Sequence, residues 1–374
     1  MQKAIKLLFV LVLAGVLIAG SGGNKNLSDL TVVQGLAVDM TEKNVSVTLQ
    51  YLNLAKSTGG TDTLAKNITA TATGESVNIS EAISSVSKNL SRAVFFGQNK
   101  VIVIGMDYAK SGVSKGMDYM LRSVDSRPDV YLALASNSGA SIIKNSERNA
   151  RVPAKNIYDL IDVSAENGNG VFVTVNDVLD LYSDETSDFF LPVLNEKGDS
   201  VYCCGVAVFS DEKYALTLTP YQTFGFNLLN GEIKSGTMTV KNNSLGIVGV
   251  QITKDNVKKS VTVDGNKIYF NCDITLNVVL NDVEKGITVR VNDNNIAEIE
   301  KSVGSKAKEQ CLSAFETCSQ AGTDPFLVGK YLAKSNSAVY EYYKKSPSDN
   351  IKKVIPNFNV RTRLTKINDN SLRS

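Results

Sequence analysis

Lys267-Ile268-Tyr269-Phe270-Asn271-Cys272-Asp273-Ile274-Thr275-Leu276-Asn277-Val278-Val279-Leu280 is the stretch that decides the fold. Ile268, Phe270, Cys272, Ile274, Leu276, Val278 and Leu280 alternate with mostly polar residues, the period of two that gathers one set of side chains on one face of a strand. A strand with one long apolar face needs a layer packed over it. Asp264-Gly265 supplies a hairpin turn back to Ser260-Val261-Thr262-Val263. Downstream, Ile296, Ile299, Val303, Ala307, Cys311, Ala314 and Cys318 recur near the helical period of about 3.6 residues, so a helix over Asn295 to Cys318 lays its stripe on that sheet. A second helix is expected after Thr323-Asp324-Pro325, carrying Phe326, Leu327 and Tyr331, and a closing strand holds Phe358, Val360, Thr362 and Leu364. A long antiparallel sheet carrying two helices is an α+β arrangement, and it defines a C-terminal domain over 199–368 with a short tail at 369–374.

Working outward toward the N-terminus, Val201 to Phe209 reads as the strand that opens this domain, followed by a helix over Tyr221 to Leu228. Residues 23–198 form a second α+β region with mixed sheets and packed helices, either as one unit or as two subdomains with a break near 137–155. Its expected strands are Leu30 to Asp39, Val45 to Tyr51 and Thr69 to Thr73, with residues 41 to 44 as a turn and Gly59-Gly60 in a polar loop. Ser80 is placed as the cap of an amphipathic helix carrying Ile83, Val86 and Leu90. Lys100 to Gly105 and Val130 to Ser136 are apolar throughout, as strands buried on both faces are, with a helix over Ser114 to Ser123 between them. Further helices are read at Asn156 to Val163 and Asn176 to Tyr182, with a turn at Gly168-Asn169-Gly170. Residues 1–22 read as an export signal or membrane-proximal segment: Lys3 and Lys6, then an uncharged apolar run from Leu7 to Gly20, then small residues.

Composition narrows the function. The 374 residues include 40 Lys and Arg against 38 Asp and Glu, so a net charge of +2 provides no field to gather nucleic acid. There is no histidine, which excludes Ser-His-Asp and Cys-His triads and every His-ligated metal site. Lys, carboxylate or Cys chemistry would remain. The five cysteines, Cys203, Cys204, Cys272, Cys311 and Cys318, show no C-x-x-C or zinc spacing, and an odd number cannot pair fully. They read as small buried hydrophobes without an obligatory disulfide. Asp184-Glu185, or Asp177 with Asp180, are the carboxylate pairs that an acid and a base would need, but no motif brackets them. Ser302 and Lys306 lie on the polar face of a helix, where solvation explains them. After Ile351, six basic residues, Lys352, Lys353, Arg361, Arg363, Lys366 and Arg373, stand against Asp369 alone; a solvated strand face explains them better than contact with lipid headgroups. No catalytic, cofactor or metal residue is assigned.

Several blocks in order resemble the Ger(x)C family, the C subunits of nutrient germinant receptors in spore-forming bacteria. They are Leu27-Ser28-Asp29-Leu30 with the strand Val33-Gln34-Gly35-Leu36-Ala37-Val38-Asp39; Phe96-Gly97-Gln98-Asn99-Lys100-Val101-Ile102-Val103-Ile104-Gly105 with the later Arg122-Ser123; Gly205-Val206-Ala207-Val208-Phe209; Pro220-Tyr221-Gln222-Thr223-Phe224-Gly225-Phe226; and Thr323-Asp324-Pro325-Phe326 with the late Tyr340 to Tyr343. The resemblance implies a non-enzymatic subunit on the outer face of the spore's inner membrane, partnered by two membrane subunits, A and B, and touching the membrane surface. The family's mature proteins typically begin Cys-Trp-Asp, with the Cys lipidated. Here Ser21 and Gly22 stand at the first two of those positions, so Ser21 is expected to carry no lipid. Two other functions compete with this reading: an extracytoplasmic protein that itself holds a small nutrient, and a His-free enzyme that modifies the cell wall.

Overall fold

A computed structural model describes residues 29–53, 68–114, 116, 119, 127, 129–145, 152–284 and 292–367. The expected export segment, Ser21, the Gly59-Gly60 loop, most of the helix placed at Ser114 to Ser123, Arg122-Ser123, Arg373 and the tail at 369–374 lie outside the described residues.

The first of two sheets has nine strands: β1 (Leu30–Met40), β2 (Val45–Leu52), β3 (Thr69–Ser76), β4 (Ala93–Phe95), β5 (Val101–Ile104), β6 (Tyr131–Ala135), β7 (Phe190–Lys197), β8 (Ser200–Ser210) and β9 (Lys213–Leu218). Their order is β3-β2-β1-β5-β6-β7-β8-β9, with β4 beside β1. The middle of the sheet, β1, β5, β6 and β7, is parallel, and antiparallel strands flank it. Every residue of β5 and β6 is buried, as the two unbroken apolar runs require. Their alternation feeds two cores. Val101, Val103 and Ala133 face α3 (Gly139–Asn145) and α4 (Pro153–Glu166), through Ile143, Ile157 and Ile161. Ile102, Ile104, Leu132 and Leu134 belong to the larger core on the opposite face, with Ile83 of α1 (Ile79–Lys88), Tyr108 of α2 (Met106–Ser111) and Val178 of α5 (Val175–Tyr182).

The second sheet is β10 (Thr237–Asn242), β11 (Gly246–Asp264), β12 (Lys267–Val283) and β13 (Ile355–Ile367), in that order. β11 and β12 form the expected hairpin, closed by Gly265 and Asn266, with Gly265 at a φ of +56°. Phe270, Cys272, Ile274, Leu276, Val278 and Leu280 are buried as the alternation requires. β13 runs parallel to β12, unlike the other strands, because α7 (Asp293–Gln320), α8 (Val328–Ser335) and α9 (Ser337–Tyr343) carry the chain back across the sheet before it pairs. Phe270, Phe315, Phe326 and Phe358 stack beneath the sheet, with ring centroids 5.5 to 6.4 Å apart. α6 (Pro220–Asn230) packs on α7 so closely that a Cβ on Gly225 would lie 2.0 Å from the Gln310 carbonyl oxygen. That contact explains a glycine between Phe224 and Phe226.

Local features differ from the sequence reading. Asn78, not Ser80, caps α1: its side chain accepts from the Glu81 N–H at 2.9 Å, as an N-cap three residues ahead of a glutamate does. α4 starts at Pro153, because a proline is preorganised for the first helical turn. Phe326 and Leu327 precede α8, and Leu327 takes a left-handed φ of +67°. β8 pairs with β7 across the tight turn at Gly198 and Asp199, so the strand expected to open the second unit extends the first sheet. One apolar core runs through both sheets, from Val33 to Phe358.

Candidate functional site

Two acidic residues, Asp39 and Asp324, act as tethers between distant segments. Asp39, at the end of β1, accepts from the N–H groups of Gly139 at 2.7 Å and Ala140 at 2.9 Å. Those N–H groups belong to the first turn of α3, where a carboxylate is electrostatically favoured, so Asp39 pins that helix to the end of the parallel strands. Asp324 does the same for α8. Leu327 offers no side-chain cap, and Asp324 instead accepts from Val328 N–H at 3.0 Å and Gly329 N–H at 2.9 Å.

Asp324 is also joined to Asp188, just before β7. The Asp188 N–H donates to the Asp324 carbonyl at 3.1 Å, and the Asp324 N–H donates to Asp188 Oδ2 at 2.8 Å. This reciprocal pair links the first sheet to the C-terminal helices. Burial raises the Asp324 carboxyl to about 7, with Asp188 adding to the rise. Burial likewise raises Asp188 to about 6. Beside them a cleft of about 320 Å³ is lined by Asp184, Glu185, Asp211 and Glu212 as well. Asp184 Oδ1 accepts from both the N–H and the hydroxyl of Thr186, at 2.9 and 2.8 Å, which makes it a turn former. Among the described residues no group of three or more Cys, Asp and Glu is placed to hold a metal ion.

The remaining candidates are accounted for by packing and capping. Asp177 closes a capping box with Thr174 at the start of α5, and Asp180 lies exposed one turn on. The two carboxylate pairs are not brought together: Asp184 and Glu185 line the acidic cleft, whereas Asp177 and Asp180 line a different cavity. Lys306 Nζ donates to the Thr239 carbonyl at 2.7 Å, tying α7 to β10, while Ser302, four residues earlier on the same helix, is half-buried. Lys352 pairs with Asp349, Lys353 donates to Asn350 Oδ1, and Arg361 and Arg363 are exposed on β13. All five thiols are free; burial pushes Cys272 and Cys318 up to about 12 and Cys203 to about 11. Such thiols stay protonated and unreactive near neutral pH.

One feature was not anticipated from the sequence. A cavity of about 510 Å³ lies between α4, α5 and β7 on one side and α6, β11 and the Pro325 to Leu327 turn on the other. Lys259, on the inward face of β11, reaches it with Asn227 and Asn230. Burial lowers the Lys259 ammonium pKa. The signal was present as charged residues, Asp255 and Lys259, at inward positions of an otherwise apolar strand face.

Comparison with known proteins gives consistent matches along the chain. Residues 23–196 match the family profile described as spore germination protein N-terminal domain, and residues 204–367 match spore germination B3/GerAC like, C-terminal. The chain is 24% identical to spore germination protein GerQC of Bacillus cereus over 273 residues, 70% of this chain and 74% of that protein. It is 20% identical to the putative spore germination protein YfkR of Bacillus subtilis (strain 168), covering 87% of each. The crystal structure of the GerBC protein superposes with a TM-score of 0.60 at 14% identity, covering 89% of this chain and 97% of that one, a likeness of fold.

Proposed function

Because the chain belongs to the Ger(x)C family of spore germination proteins, we propose that it is the C subunit of a nutrient germinant receptor, assembled with membrane A and B subunits on the outer face of the spore's inner membrane. The observation that carries this reading is the pair of tandem family matches, which together span nearly all of the chain after residue 22. The role is non-enzymatic. Without histidine, catalysis would fall to carboxylates, lysines or thiols. Asp39, Asp177 and Asp324 cap helices, Asp184 forms a turn, and burial keeps the Cys203, Cys272 and Cys318 thiols protonated near neutral pH. The division into domains at 23–198 and 199–368 belongs to the same proposal, with the β7–β8 hairpin as the joint. Affinity capture of the tagged chain from detergent-solubilised spore inner membrane tests the assembly. Recovery of one A and one B subunit in stable proportion is the expected result, and a chain that elutes alone from inner membrane containing both would refute it.

Attachment follows from one residue. Lipid transfer to the family's N-terminal Cys needs a thiolate, and the Ser21 hydroxyl is a far poorer nucleophile, so Ser21 stays unmodified and the A and B subunits hold the chain at the membrane. Ile18-Ala19-Gly20 supplies the small-residue context that a lipoprotein signal uses, so Ser21→Cys should acquire the lipid. Intact mass spectrometry of both proteins reads the difference directly; a diacylated wild type would end this part of the proposal.

A further inference from the structure

The second sheet packs its inner face on α7 and leaves its outer face open to solvent. The strand register gathers cations there. Lys254 of β11 stands in the same cross-strand row as Arg363 of β13, with Asn277 of β12 between them; Arg361 lies in the next row, and Lys258, opposite Asp273, in the one after. All four cations are exposed, and none forms an ion pair among the described residues. Asp273, the one carboxylate in these rows, accepts from Asn359 Nδ2 at 3.1 Å. Read along the chain, the pair on β13 stands alone on a solvated strand; the fold sets the β11 pair beside it. Four cations against one carboxylate is an excess larger than the net charge of +2 on the whole chain. With strands about 4.8 Å apart and a rise of about 3.4 Å per residue, the four form a flat array about 10 Å wide and about 14 Å long. None of them lines either cavity described above.

From this array we infer that the outer face of the second sheet docks on an anionic lipid bilayer, its four cations lying against headgroup phosphates. Four Lys and Arg clustered on one face reach the number by which anionic lipid is recognised. Other partners fit the face less well. A protein interface is built around an apolar or aromatic centre, and the exposed apolar residues of this sheet, Ile247 and Ile355, lie beyond the charged rows at opposite ends. A glycan strand needs a groove or an aromatic platform, and this face is flat with no exposed aromatic ring. Nucleic acid is set aside by the extracytoplasmic placement proposed above, and to that extent the inference rests on that reading. A bilayer offers phosphates across a plane, so all four cations are neutralised together. The contact turns α7, on the inner face, away from the bilayer, and adds a salt-sensitive attachment to the hold of the A and B subunits.

Sedimentation of the purified full chain with vesicles tests it. Phosphatidylcholine vesicles give the baseline set by the rest of the chain, the apolar segment from Leu7 to Gly20 included, and vesicles of about one-third phosphatidylglycerol read the added charge. At low salt the anionic vesicles should bind at least about a hundredfold more tightly, and about 1 M NaCl, with a screening length of about 3 Å, should remove most of that advantage. Lys254→Gln/Lys258→Gln and Arg361→Gln/Arg363→Gln should each reduce it about tenfold; the two pairs lie on different strands, so one variant keeps the test valid if the other folds poorly. Lys301→Gln/Lys308→Gln, the same change of charge on the exposed side of α7, should reduce it less than about threefold. The vesicles contain no A or B subunit, so a negative result would leave the receptor assignment standing. Equal binding to both vesicles at low salt, equal losses in the sheet and helix variants, or pelleting that depends on these cations with purified peptidoglycan and not with vesicles would overturn the inference.

Discussion

β12 and β11 lie side by side in one sheet and turn the same face toward the same core, yet they treat that face differently. The inward residues of β12, from Phe270 to Leu280, are apolar without interruption. Across from them, Val261 pairs with Phe270, Lys259 with Cys272, Val257 with Ile274 and Asp255 with Leu276, so β11 alternates apolar and charged residues on its inner face. Desolvating a charge is unfavourable unless a partner offsets it. Asp255 has one, the Ile233 N–H at 3.2 Å, whereas Lys259 has only Asn230 and the cavity. The dry strand holds the fold together, and the charged one gives up stability where Lys259 is desolvated.

The largest effect expected from breaking this contrast is at Phe270. It has no exposed surface and packs against Phe315, Phe326 and Phe358. Phe270→Asp removes that packing and forces a carboxylate onto the dry face, so destabilisation of more than about 4 kcal/mol is expected. Denaturant unfolding of the variant should show lost cooperativity or a much lower midpoint. A variant that unfolds like the wild type would show that β12 tolerates charge as β11 does.

The Asp188–Asp324 pair, close enough for Asp324 to act on Lys259, extends the charged region and gives it a pH dependence. Both folded carboxyls titrate above the ordinary Asp range, at about 6 and about 7. Between about pH 4 and 7 the folded state therefore retains protons that the unfolded chain has released, so the pair's contribution to stability falls as pH rises through that window. The melting temperature should be lower at pH 7.5 than at pH 5. Asp188→Asn keeps an acceptor for the Asp324 N–H and removes one of the charges, so it should flatten that slope by an amount on the order of 2 kcal/mol. An equal slope in variant and wild type would mean that the pair ionises freely. A smaller effect is expected at Lys259: replacing a half-buried cation by methionine should leave stability unchanged or raise it by up to about 1 kcal/mol, as read from the same melts.

The contrast was half legible in the sequence. Ile268 to Leu280 kept one period and one face, so both the strand and its buried set could be read directly. β11 hid its inner face because its register shifts between Ile252 and Lys254. Before that bulge Val248, Val250 and Ile252 point inward; after it the parity reverses to Asp255, Val257, Lys259 and Val261. Without the bulge, Lys259 is one basic residue in the surface-like run Lys254 to Lys259. The Asp188–Asp324 pair was invisible for another reason: 136 residues separate its members, and no local pattern records a contact at that range. Thr323-Asp324-Pro325-Phe326 is legible in the sequence only as a family block, because its physical task, capping α8 in place of Leu327, depends on the left-handed backbone at Leu327.

The smallest expected effect lies at the exposed end of the dry strand, where the same substitution chemistry should do little. Lys267 is on the outer face of β12, three residues from Phe270, and pairs with Asp264 across the hairpin turn. Lys267→Asp places two carboxylates opposite each other in a solvated, two-residue hairpin, where like charges repel weakly and salt screens them. A loss of about 0.5 kcal/mol is expected, smaller still at high ionic strength, and thermal melts at low and high salt would measure it. Lys267→Asp and Phe270→Asp introduce the same side chain on the same strand, so the gap between them isolates burial from charge. If both variants lost similar stability, the free energy of β12 would come from backbone pairing at the hairpin, and its apolar face would not be what separates it from β11.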